Sequence, residues 1–181
     1  MKIKCFPITL GENEAMKIAR GRGNLLGRLL LGGKKITLRV MYLESRYLTY
    51  EMTYVDNLLA SLFKKNEKPD QPDRQRIRVM VEGTTCSAAY APDDIHTMEK
   101  DVDENSIQFT YYDDLRLSDA GGIMARRMVR RQLGRNLTIK PVEMEKVFRP
   151  FYIAIYGDMV EGTKVRYLPI AADGNDVTRC C

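Results

Sequence analysis

A strand, a helix and a long strand recur in this chain about a hundred residues apart, and no other feature limits its architecture as much. Ile3-Lys4-Cys5-Phe6 precedes a helical run holding Leu26-Gly27-Arg28 and then a strand-like run over 35–54. Ile107-Gln108-Phe109-Thr110 precedes a helical run holding Leu133-Gly134-Arg135 and a strand-like run over 143–156. Each half closes on a basic β segment and an acidic residue before glycine, Glu82-Gly83 and Asp173-Gly174. Self-similarity at one spacing marks a single supersecondary unit used twice. The helices match at an offset of about 107 residues but the acidic-Gly pairs at only about 91, so the first half holds extra chain. Residues 64–75, apolar only at two prolines, supply it as an inserted loop.

Local signals fill in each copy. Thr9-Leu10-Gly11-Glu12 has the form of a capping box and opens a helix expected to reach about Leu31 before Gly32-Gly33. Ala15, Ile18, Leu25 and Leu29 give it a core stripe, while Lys17, Arg20, Asn24 and Arg28 make the opposite face basic. Alternation over 35–55 predicts a long strand, with an interruption at Glu44-Ser45. Glu82-Gly83-Thr84 predicts a tight hairpin between 76–81 and 85–90. In the second copy Ser118 is the expected N-cap of a helix through about Leu137. Pro141 should stop that helix, and 142–156 should be a strand broken at Arg149-Pro150. The predicted class is α+β: two related units, mostly antiparallel sheet, one helix packed on each. The expected boundaries are 1–92 for the first unit, 93–103 for a linker and 104–181 for the second.

The strand and hairpin ending in Val79-Met80-Val81-Glu82-Gly83-Thr84, after a helix and an aromatic-rich strand, resembles the helix-on-curved-sheet modules of the PepSY and cystatin-like kind. The motif covers about a third of the chain. The resemblance implies a binding module and carries over no site residue.

Composition narrows the setting. The chain has no apolar run near the 18 residues that a membrane span needs, and its start has no apolar signal-peptide core, so a cytoplasmic protein is expected. Four cysteines in 181 residues do not make a disulfide scaffold. A net charge of +5 permits polyanionic partners without requiring them.

Chemistry is sparse by comparison. Arg126, Arg127, Arg130, Arg131 and Arg135 crowd the second helix, and their spacing makes a broad guanidinium surface suited to phosphates. Tyr42, Tyr47, Tyr50, Tyr54, Tyr152, Tyr156 and Tyr167 could stack on bases. Both features are equally expected of a solvated, ion-paired helix and of aromatic strands. Tyr42, Tyr50, Phe148 and Tyr156 are also the residues expected where sheet faces meet each other or a second chain. Gly21-Arg22-Gly23-Asn24-Leu25-Leu26-Gly27 falls inside a helix, which is the wrong context for a phosphate loop. Cys86, His96 and Asp93 or Asp94 match no nucleophile signature, and no metal-ligand spacing or cofactor motif occurs. Cys180-Cys181 ends the sequence given and reads as a frayed tail. The expectation is a non-enzymatic binding or assembly protein with a protein partner or a second copy. A nucleic-acid binder using the arginine-rich helix is the alternative.

Overall fold

The computed structural model describes residues 1–21, 35–54, 74–91, 95–133, 137–158 and 165–174. Its class is α+β, with two α-helices and a large, mostly antiparallel sheet content among the described residues. Two compact units share the chain, and both are discontinuous. One holds Met1–Glu44, His96–Phe109 and Val147–Val177; the other holds Ser45–Ile95, Thr110–Lys146 and Thr178–Cys181. The expected inserted loop, 64–75, lies outside the described residues except for Arg74 and Gln75, which begin a strand. The segment expected as a linker contains a strand of its own.

In the first unit, β1 (Lys2–Cys5) pairs antiparallel with β5 (Met98–Asp101), from Lys2 opposite Asp101 to Cys5 opposite Met98. On its other side β1 meets β7 (Leu137–Tyr156) in parallel at Cys5 and Phe148, and the Phe6 N–H donates to the Phe148 carbonyl at 3.1 Å. The short strand β6 (Ile107–Gln108) makes the matching parallel contact with β2 (Ile36–Tyr54), Tyr42 lying opposite Ile107. These residues bury together as one cluster: Ile3, Cys5, Tyr42, Ile107 and Phe148. Residues 151–156 of β7 pair antiparallel with β8 (Arg166–Ala171), and Gly157, at φ 92°, turns the chain out of β7.

Helix α1 (Glu12–Gly21) covers that hairpin because Ala15, Ile18 and Ala19 share one face and are small enough to approach Tyr152, Ala154, Ile170 and Ala172. Glu12 and Glu14 in its first turn and Arg20 in its last suit the helix dipole. Two phenols of β7 tie it down: Tyr152 donates to the Leu10 carbonyl at 3.2 Å and Tyr156 to the Ala19 carbonyl at 2.8 Å. The expected capping box does not form. Gly11 is the cap, its carbonyl accepting from Ala15 N–H, while the Thr9 N–H and hydroxyl both turn to the Ala172 carbonyl. The expected end of this helix, at Leu31, lies outside the described residues.

Arg149-Pro150 is not an interruption: β7 runs through it. Arg149 instead grips Asp173, Nε to Oδ2 at 2.7 Å and Nη2 to Oδ1 at 2.9 Å, with side chains only 4% and 2% exposed. The Pro150 carbonyl accepts from Ala172 N–H at 3.0 Å.

In the second unit, β2 from Ser45 onward pairs with β3 (Arg74–Glu82), Leu48 opposite Val79 and Tyr50 opposite Ile77, and β3 pairs with β4 (Ala88–Tyr90). Alternation puts Leu48, Tyr50 and Met52 on the same face as Ile77, Val79 and Val81. Helix α2 (Asp114–Leu133) covers that face with Leu117, Met124, Ala125 and Val129. No break occurs in β2 at Glu44-Ser45; the division between the units falls there instead. The hairpin is looser than expected. Glu82 N–H donates to the Ser87 carbonyl, and Cys86, at φ 56°, closes a loop in which Glu82 accepts from the Thr84 and Thr85 hydroxyls.

Candidate interaction surface on the second helix

Helix α2 begins earlier than Ser118. Asp113 caps it: its carboxylate accepts from Arg116 N–H at 2.8 Å and its carbonyl from Leu117 N–H at 3.1 Å. Ahead of the cap, Thr110 Oγ1 and Tyr111 N–H both donate to the Gly83 carbonyl, at 2.9 and 3.1 Å. Asp114 then accepts from Arg46 Nε at 2.7 Å. These contacts fix the helix entry, and Leu117, Gly121, Met124, Ala125 and Val129 fix which side faces the sheet.

What remains outward is mixed in chemistry. Leu115 is 73% exposed and Ile123 54%, and Arg116, Asp119, Arg126 and Arg127 are exposed beside them. Tyr111, just before the helix, is 73% exposed. Leu115 and Ile123 are out of phase with the buried stripe of this helix. That mismatch is a signal already present in the sequence, and a reading centred on arginine passes over it.

Of the five arginines singled out, Arg126 and Arg127 are exposed, and neither forms an ion pair with a described acidic residue. Arg130 and Arg131 belong to the last turns of α2, and Arg135 lies outside the described residues. The aromatic half of the base-stacking reading needs correction. Tyr42, Tyr50 and Tyr152 are core residues, 3%, 2% and 7% exposed, because each fills space beneath or beside a helix or strand of its own unit. Phe148 is buried likewise, so Tyr42, Tyr50 and Phe148 serve unit cores and do not form a face awaiting a partner. Tyr167 is exposed, at 69%. Tyr54 is the last residue of β2.

The other sequence features come to less. His96 is exposed, Cys86 holds its left-handed turn with Sγ 3.9 Å from the Arg116 carbonyl, and Asp93, Asp94, Cys180 and Cys181 lie outside the described residues. Among the described residues no group of three or more His, Cys, Asp or Glu is placed to hold a metal ion. No described helix is long and apolar enough to cross a membrane.

A titratable cluster sits around Tyr42. Lys100 Nζ lies 5.5 Å from the centre of its ring, and a hydrogen bond to Tyr42 raises the lysine pKa. Burial raises the Cys5 thiol and the Tyr152 phenol. These shifts keep both groups protonated and unreactive near neutrality.

No family model matches the chain, no characterised protein matches it in sequence, and no solved structure matches it in fold.

Proposed function

We propose that this protein acts by binding and assembly rather than catalysis, and that the outward face of α2 is its contact surface. The observation that carries the reading is the pair Leu115 and Ile123, large apolar side chains held outward among charges on a helix whose other side is packed into a core. Isolated apolar residues on a surface are ordinary; two on one face of a rigid helix, beside exposed Tyr111, suit a protein contact. A photo-crosslinking amino acid at Ile123 in living cells tests it. Protease-sensitive adducts are expected at that position and not at Thr138 on β7, which is also exposed. No adduct at Ile123 would sink the reading.

A second reading, nucleic-acid binding, is favoured by exposed Arg126 and Arg127 with Arg130 and Arg131 following in the same helix. It expects the Ile123 adducts to be nuclease-sensitive. It also expects DNA or RNA affinity to fall with salt at a log-log slope of about −3 to −4 for about four phosphate contacts.

The same reading takes residues 1–92 and 104–181 as duplicated halves working in the cytoplasm. In support, Thr9 and Thr110 play matching parts before their helices, each donating its hydroxyl to a carbonyl beyond the end of a hairpin strand, Ala172 and Gly83. Tyr156 and Tyr50, at matching places in their long strands, each bond a helix carbonyl. Cys5 and Cys86 are free thiols, as suits a reducing compartment.

A further inference from the structure

We draw no further inference here: the strongest candidate, the outward face of α2 with exposed Leu115 and Ile123 among Arg116, Asp119 and Arg127, carries none because nothing in the structure shows what covers it.

Discussion

The phenol of Tyr50, on β2, donates a 2.6 Å hydrogen bond to the backbone carbonyl of Ser118 in the second turn of α2. Tyr50 is 2% exposed, so the bond is made away from water and ties helix to sheet at one defined height. Tyr50→Phe keeps the ring and removes the phenol's bond to that carbonyl, which retains its place in the helix ladder. A loss of about 1–2 kcal/mol is expected in urea denaturation, with little change in the denaturant slope.

Gly121 lies beside the same phenol. A Cβ there would stand 2.5 Å from the Tyr50 hydroxyl and 2.8 Å from Leu48 Cδ1, closer than side chains come. Gly121→Ala should therefore destabilise by about 1–3 kcal/mol despite the better helix propensity of alanine. Gly122→Ala meets only an ordinary contact at 3.7 Å and should be neutral or stabilising by up to about 1 kcal/mol. Combining Gly121→Ala with Tyr50→Phe should cost less than the sum of the two, because the clashing oxygen is gone. Additivity in that double-mutant cycle would refute the proposed contact.

The Arg149 and Asp173 pair is bidentate and almost entirely buried. Removing one partner breaks a bidentate charge pair in the interior, so Arg149→Met or Asp173→Asn should cost about 3–5 kcal/mol. By contrast, Arg46 and Asp114 make a 2.7 Å contact whose acidic side chain is 62% exposed, and Asp114→Asn should cost no more than about 1 kcal/mol. Thermal melts of the two carboxamide variants, side by side, give the comparison directly.

Alkaline pH should unfold this protein from its tyrosines. Burial raises the phenol of Tyr50, which Asp119 also raises, and burial raises that of Tyr152. An acid whose folded pKa lies above its unfolded value stabilises the fold fully below the unfolded value, about 10 for a phenol. That contribution is lost as pH climbs from there through the raised value. Stability should fall above about pH 10, and Tyr50→Phe should make the fall shallower. Phenolate absorbance recorded alongside denaturant melts would show whether ionisation and unfolding go together.

The strands of this fold were legible because a two-residue period survives in the sequence: Leu48, Tyr50 and Met52 read as one face and are buried as one face. Both helix starts were misplaced for a common reason. Thr9 and Ser118 carry capping side chains, but the Ala172 carbonyl takes the Thr9 donors and the helix caps at Gly11, while Asp113 had already capped α2. Arg149-Pro150 looked like a break because proline weakens a ladder, and nothing local announces that Asp173 comes back to bind Arg149. Charge density drew attention to α2. The apolar residues that now define its candidate surface, Leu115 and Ile123, were visible only as a mismatch of phase.

Cys5 and Phe148 are neighbours in one unit although the whole of 45–95 and 110–146 is given to the other. On a ribosome this becomes a matter of time. At about 5–20 residues per second, β1 leaves the tunnel on the order of ten seconds before Phe148 and Ala172 exist to receive it. Until then Cys5 and Phe6 lack their neighbour on β7, although Tyr42, β5 and Ile107 have already been made. The parallel contact of β1 with β7 is therefore among the late events of folding during synthesis, and that of β1 with β5 can precede it.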